Sequence, residues 1–184
     1  TDSDKKPFNN ISLFISPEGK ILWEYKKSFL EPVAEASIVN EGAFDMPVVE
    51  TPYGNIGGVI CADLDMSHYI KQASEKSVDL LLVPAYDWKG ITPMHSEMAS
   101  AQAIQFGISI ARVNGKGITA FYNCKGKEIA SMNNFVSDKK IFTVDFPVSS
   151  VKTVFSIIGD VFGWLCVVTL LFFIIKRFLK PKNT

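Results

Sequence analysis

The residue best placed for covalent chemistry is Cys61. It follows the apolar run Gly57-Gly58-Val59-Ile60, which predicts the end of a strand, and a predicted helix begins shortly after it. Free N–H groups and the positive dipole at a helix start favour the thiolate form of a cysteine. The same N–H groups can hold an oxyanion once the sulfur attacks a carbonyl. Cys61 is therefore a candidate nucleophile; the alternatives are an inert buried thiol and a disulfide with Cys124.

Several other chemistries lack the residues that they need. The only histidines, His68 and His95, are far apart, and the three cysteines form no C-x-x-C pair, so we expect no metal site. There is no glycine-rich phosphate loop and no dinucleotide fingerprint, so we expect no cofactor. The 19 Lys and Arg balance the 19 Asp and Glu, for a formal net charge of zero. This balance excludes a polybasic nucleic-acid binder.

A layered α/β or α+β domain is predicted to position Cys61. Hairpin signals alternate with strand–helix–strand units, as in domains that stack helices on a sheet. The predicted strands cover residues 11–16, 21–25, 47–51, 56–60, 78–83, 108–113, 118–122 and 140–144, and the predicted helices cover residues 65–76 and 94–106.

Residues 154–175 predict one transmembrane helix at the C-terminal end of a globular region that covers residues 1–150. The segment is almost entirely apolar and, as a helix, would be ~33 Å long, which is enough to cross a bilayer. A buried core helix is the alternative, but no polar face interrupts the apolar residues. Lys176, Arg177, Lys180 and Lys182 follow it, so residues 176–184 are predicted to be a cytoplasmic tail and the globular region to be extracytoplasmic. Because no signal peptide precedes that region, we expect the chain to be the C-terminal part of a longer protein.

Four segments, in order, resemble the nitrilase (carbon–nitrogen hydrolase) superfamily, and within it most closely the apolipoprotein N-acyltransferases. Residues 25–35 match the pattern Y-x-K-x-x-L-x-P-x-x-E, and residues 58–63, G-V-I-C-A-D, resemble the nucleophile strand. Residues 81–88, followed by His95, resemble the next strand, loop and helix, and residues 112–120 resemble the strand pair after that. The resemblance runs from about residue 11 to residue 132, and it implies part of an α-β-β-α sandwich.

The resemblance implies a role for each candidate site residue. Cys61 would be acylated to a thioester, Lys27 would stabilise the oxyanion and hold the thiolate, and Glu35 would orient Lys27. Lys26 is the rival cation, which we interpret as a surface lysine. Three further residues are expected to bind substrate, namely Tyr86, Trp88 and Asp63, which stands where the acyltransferases carry a glutamate.

The chain also departs from the family pattern. The general-base glutamate, which the family carries on a strand before the lysine, is not in this chain, and Glu18, in a hairpin turn, is not a substitute. We therefore expect these 184 residues to be inactive by themselves. Ala62 replaces an aromatic residue, and residues 102–105, Q-A-I-Q, replace an Arg-Ala-x-Glu pattern.

The function that the resemblance implies is a membrane-anchored thiol acyltransferase. It would take an acyl chain from a phospholipid and pass it to the N-terminal amine of a lipoprotein, with both substrates held at a lipid bilayer. One alternative is a membrane-tethered amidase, in which water resolves the thioester. The second is a non-catalytic, membrane-anchored interaction module that keeps the fold without the base.

Overall fold

A six-stranded mixed sheet is the centre of the structure, a computed structural model that describes residues 6–138 and 141–179. Its strands follow one another in sequence order from β3 to β8. β4, β5 and β6 run parallel, and the other neighbours are antiparallel. The strands of the sheet are β3 (Val48–Thr51), β4 (Gly54–Gly58), β5 (Leu80–Ala85), β6 (Ser109–Asn114), β7 (Ile118–Tyr122) and β8 (Glu128–Asn133).

The hairpin of β1 (Ile11–Ile15) and β2 (Ile21–Lys26) packs on β4 as a separate two-stranded sheet. Trp23 of β2 makes the contact, since a Cβ at Gly58 would lie 2.3 Å from the Trp23 ring. Only glycine at this position lets the two layers approach so closely. Lys27 directly follows β2 and is thereby held near the end of β4.

Two helices cover the sheet and return the chain between its parallel strands. They are α1 (Ser67–Glu75) and α2 (Thr92–Phe106), and their buried side chains join those of β5 and β6 in one core. Because β4, β5 and β6 are parallel, their last residues and the residues that follow them lie along one edge of the sheet. Cys61, Tyr86 and Asn114 meet at this edge, and the predicted layered α/β architecture is confirmed.

Two predictions on the C-terminal region were wrong. Residues 141–144 form no strand; Phe142 instead packs its ring on Phe121, at a centroid distance of 5.9 Å. Residue 140 lies outside the described residues. The single helix predicted over residues 154–175 is divided into α3 (Val154–Ile158) and α4 (Val161–Leu179), because Gly159 has a φ of 65°. Asp160 then accepts a hydrogen bond from the Gly163 N–H at the start of α4.

α4 is the helix in the described residues that is long and apolar enough to cross a membrane, judged by length and composition. Its residues 161–178 have a mean hydropathy of 2.0, and none of them is buried in the structure. Whether α4 spans a bilayer stays a prediction.

Candidate active site

Cys61 occupies a strained turn at the edge of the sheet. It begins a short 3-10 helix (Cys61–Asp65) with a φ of 50°, in the left-handed region that few non-glycine residues adopt. Such a conformation costs on the order of 1–3 kcal/mol and persists only where the surroundings impose it. The thiol is half-buried, and Cys61, Cys124 and Cys166 are all free.

Asp63 supplies the contacts that impose this turn. Its side chain is fully buried, and its carboxylate accepts hydrogen bonds from both the Cys61 turn and the segment after Lys27. The donors are the N–H groups of Ile60 (2.9 Å), Ser28 (3.2 Å) and Phe29 (2.7 Å) and the hydroxyl of Tyr25 (2.7 Å). Asp63 was predicted to bind substrate. In the structure it lies fully buried beneath the turn, where its carboxylate ties the Cys61 turn to the segment that follows Lys27.

Lys27 and Glu35 form an ion pair beside Cys61. Lys27 is only 2% exposed, whereas Lys26 is exposed, so the two rival lysines differ sharply in environment. Glu35 also accepts hydrogen bonds from Asn10 Nδ2 (2.9 Å) and the Glu31 N–H (3.0 Å). Burial would raise the pKa of Glu35, but these bonds and Lys27 outweigh it and lower the pKa. A buried ammonium needs such a partner, so Glu35 fixes the position of Lys27.

The surroundings of Cys61 act on its ionisation in both directions. Burial raises the pKa of the thiol above its ordinary value, while the Lys27 ammonium and a hydrogen bond from the Tyr86 N–H oppose that rise without cancelling it. Burial therefore works against the thiolate that the sequence predicts. A thiol with a raised pKa depends on a base that removes its proton before attack.

An open cleft of about 670 Å³ lies over the thiol. It brings together five of the six predicted site residues, namely Cys61, Lys27, Glu35, Tyr86 and Trp88. Tyr86 and Trp88 stand at its mouth, 70% and 58% exposed, with the apolar side chains of Ile11 and Leu13 nearby. The cleft thus combines a polar floor with an apolar rim.

Sequence reasoning missed Glu31 and a buried charge cluster behind the cleft. Glu31 lines the cleft, but the family pattern assigns no role to its position. Asp87, next to Tyr86, accepts two hydrogen bonds from the Arg112 guanidinium (3.0 Å each) and one from Asn114 Nδ2 (2.6 Å). The sequence held a signal for this pair. Asp87 follows β5 and Arg112 lies on β6, so the order of the predicted strands could have brought the two side chains together.

No group of three or more His, Cys, Asp or Glu side chains in residues 6–138 and 141–179 is arranged to hold a metal ion. The arrangement that the structure does show is a thiol, a buried ammonium and a carboxylate around one cleft. Such a set can attack an acyl carbonyl and stabilise the oxyanion that forms.

Comparison with known proteins identifies the family. The carbon-nitrogen hydrolase family model matches residues 2–154, most of the chain. The chain belongs to this family. The resemblance to the nitrilase superfamily predicted from the sequence is thereby confirmed.

The relatives include both acyltransferases and amidases. The chain is 29% identical over 136 residues to apolipoprotein N-acyltransferase 1 of Treponema denticola, covering 70% of this chain and 25% of the relative. Nit3 of Saccharomyces cerevisiae, a nitrilase-superfamily member, matches with a TM-score of 0.63 and 18% identity, covering 68% of this chain and 49% of Nit3.

A mutant of the amidase from Nesterenkonia sp. AN1 also matches, with a TM-score of 0.63 and 20% identity over 67% of this chain and 50% of the amidase. In that structure the acetamide moiety of fluoroacetamide is covalently added at the active-site cysteine. The chain therefore spans about a quarter of the curated relative and half of each solved structure. The structural matches show a nitrilase-like fold.

Proposed function

We propose that this chain carries the nucleophile of a membrane-anchored thiol acyltransferase. Cys61 would take an acyl group from a phospholipid and pass it to the N-terminal amine of a lipoprotein. The observation that carries the proposal is the cleft in which the Cys61 thiol lies beside the buried Lys27–Glu35 pair. The relative from Treponema denticola supports acyl transfer as the outcome.

The first half-reaction forms a thioester. A base takes the Cys61 proton, the sulfur attacks the ester carbonyl, and the carbonyl electrons move onto oxygen. Lys27 donates a hydrogen bond to that oxyanion, as a fixed and almost completely buried cation. When the oxyanion collapses, the carbon–oxygen bond to the lysophospholipid breaks and the leaving alkoxide takes a proton.

The second half-reaction consumes the thioester. The neutral amine of the acceptor attacks the thioester carbonyl, the same oxyanion site is used again, and Cys61 leaves as thiolate. The amine nitrogen loses a proton, which the thiolate takes up, so the products are an amide and the free thiol.

We propose that the general base is the glutamate that the family carries on a strand before the lysine, and that none of these 184 residues matches it. Among the described acids, Glu31 and Glu35 line the cleft. Glu35 has a lowered pKa and holds Lys27, so it is a poor proton acceptor. On this proposal the 184 residues alone do not turn over substrate.

The apolar rim and α4 favour lipid substrates. Both would place an acyl chain next to the thiol at a bilayer surface, with α4 across the membrane and its basic end, Lys176 and Arg177, on the cytoplasmic side. Reporter fusions that are active only on one side of a membrane test this orientation. A C-terminal reporter that is active outside the cytoplasm would contradict it.

The decisive experiment looks for the thioester. Full-length protein in phospholipid vesicles should acquire a hydroxylamine-labile acyl adduct on the Cys61 peptide, detected by mass spectrometry. Cys61→Ala should abolish the adduct, and the matched variant Cys166→Ala, in α4, should keep it. Full-length protein with no adduct, or an adduct that persists in Cys61→Ala, would refute the proposal.

The second candidate is a tethered amidase. The covalent adduct at the cysteine of the Nesterenkonia amidase favours it, because the same nucleophile there reacts with an amide-bearing compound. Assays with a lipopeptide amine and with simple amides separate the two: acyl transfer supports the first candidate, and amide hydrolysis supports the second.

A further inference from the structure

His95 lies in the buried charge cluster behind the cleft, between two carboxylates. Its Nδ1 is 3.1 Å from Asp87 Oδ1, and its Nε2 is 3.3 Å from Asp65 Oδ2. The ring is only 5% exposed. A neutral imidazole has one N–H and one lone pair, so one nitrogen would turn a lone pair toward a carboxylate. Only the doubly protonated imidazolium donates to both acids.

The local charges agree with a protonated ring. The charged groups that face His95 are Asp65 from the 3-10 helix, Asp87 from the loop after β5, and Arg112 from β6 at 3.5 Å. From β7, Tyr122 bonds to Ser96 instead. When both acids are ionised, the buried Asp87 and the half-buried Asp65 stand against one guanidinium and leave one negative charge, which a proton on His95 neutralises. The hydrogen bond to Asp87, with Asp65 adding to it, raises the pKa of His95.

The two carboxylates belong to the two segments that present the nucleophile. Asp65 ends the 3-10 helix that Cys61 begins, and Asp87 directly follows Tyr86, whose N–H donates to the Cys61 sulfur. His95, on α2, therefore joins the turn that carries the thiol to the loop that supplies its hydrogen-bond donor.

We propose that His95 is a positioning residue whose imidazolium clamps the Cys61 turn to the Tyr86 loop and so keeps the thiol reactive. This rests on the proposed function only in taking Cys61 as the nucleophile. When the ring loses its proton, one of the two carboxylate contacts is lost and the Tyr86 N–H moves away from the sulfur. Loss of that hydrogen bond raises the pKa of the thiol further and slows its reactions.

The test measures the reactivity of Cys61 without any acyl substrate. Full-length protein is treated with iodoacetamide between pH 6 and pH 10, and alkylation of the Cys61 peptide is followed by mass spectrometry. In His95→Gln we expect alkylation at neutral pH to fall by about tenfold, with its rise displaced to higher pH. The matched variant His68→Gln changes the other histidine, which is exposed on α1, and should leave the profile unchanged.

A second variant covers the case in which His95→Gln fails to fold. Asp65→Asn keeps the shape of one partner but removes its charge, so it should lower the pKa of His95 and displace the alkylation profile in the same direction. A purely structural role for His95 would lower the melting temperature and leave the pH profile in place. That result, in either folded variant, would overturn the proposal.

Nitrogen NMR of the unmodified protein gives an independent reading. The His95 ring should show two N–H groups at pH 7 and should titrate above the usual histidine range. A ring that is neutral at pH 7 would overturn the proposal even if Cys61 is the nucleophile. Conversely, a displaced alkylation profile in a protein that transfers no acyl group would support the clamp while refuting the acyltransferase.

Discussion

The edge of the sheet around Cys61 and the C-terminal helix α4 place their polar and apolar groups in opposite ways. Around Cys61, charged side chains such as Lys27, Asp63 and Arg112 are almost completely buried, and each has a named partner. On α4 the large apolar side chains are exposed. Burying a charge is costly unless it is paired, so the first region is built for chemistry. An exposed apolar helix needs an apolar surrounding, which a bilayer or a protein partner supplies.

The largest effect expected from this difference concerns the cysteines. Cys61→Ala should reduce acyl transfer by at least about 10³-fold, since the covalent intermediate can no longer form. Cys166→Ala, an equally small change in the exposed region, should retain the activity of the parent protein. Steady-state rates of the full-length protein in vesicles make the comparison. Equal rates in the two variants would remove the functional contrast between the regions.

Leucine deletions compare the packing of the two regions. Leu81→Ala, in the fully buried part of β5, should lower the free energy of unfolding by roughly 3 kcal/mol, because it leaves a cavity in the core. Leu170→Ala, which is 61% exposed on α4, should change it by less than about 0.5 kcal/mol. Denaturant unfolding in detergent measures both values. A loss at Leu170 as large as that at Leu81 would mean that α4 packs on protein.

Ion pairs give a contrast of similar size. Glu35→Gln leaves the Lys27 ammonium buried without a counter-charge and should cost about 3 kcal/mol of stability as well as activity. Glu75→Gln breaks the exposed pair with Lys71, 3.4 Å long and one helical turn apart, and should cost less than about 0.5 kcal/mol. Thermal melts of the two variants test the prediction. If both variants melt alike, burial does not strengthen the Lys27–Glu35 pair.

The smallest effect is a loss of stability in acid. Burial would raise the pKa of Asp87, but His95 and Arg112 outweigh it and lower the pKa to about 2. The stabilisation is therefore present above pH ~4, the ordinary Asp pKa, and is lost as the pH falls toward 2. Asp87→Asn should remove this part of the acid transition. Melting temperatures measured from pH 7 to pH 2 compare the variant with Asp160→Asn, an exposed acid beside α4 that should melt like the parent protein.

Local patterns predicted most of the strands because the information lay in neighbouring residues. The turn Pro17-Glu18-Gly19-Lys20 between two apolar runs predicted the β1–β2 hairpin, and the structure confirms it. Residues 140–144 were also predicted to be a strand, which was wrong for residues 141–144, because no strand in the described part of the chain pairs with them. A strand needs a neighbour, and a short apolar segment does not say whether one is present.

The sequence contained a signal for the break between α3 and α4. The length of the apolar run nevertheless favoured a single helix. Gly159 and Asp160 form a common signal for the end of one helix and the cap of the next. The apolar run around them predicted a single span instead. The structure shows the break because Gly159 adopts a positive φ and Asp160 accepts the Gly163 N–H.

The sequence by itself determined which residue types reach the edge of the sheet: a cysteine after an apolar strand, and a lysine and a glutamate eight positions apart in a family motif. Only the tertiary structure decided what each group does there. It buried Asp63 beneath the Cys61 turn, and it raised the pKa of the thiol where a helix start had predicted a thiolate. Desolvation depends on every atom packed around a group, whereas a motif records only the groups that are near in sequence.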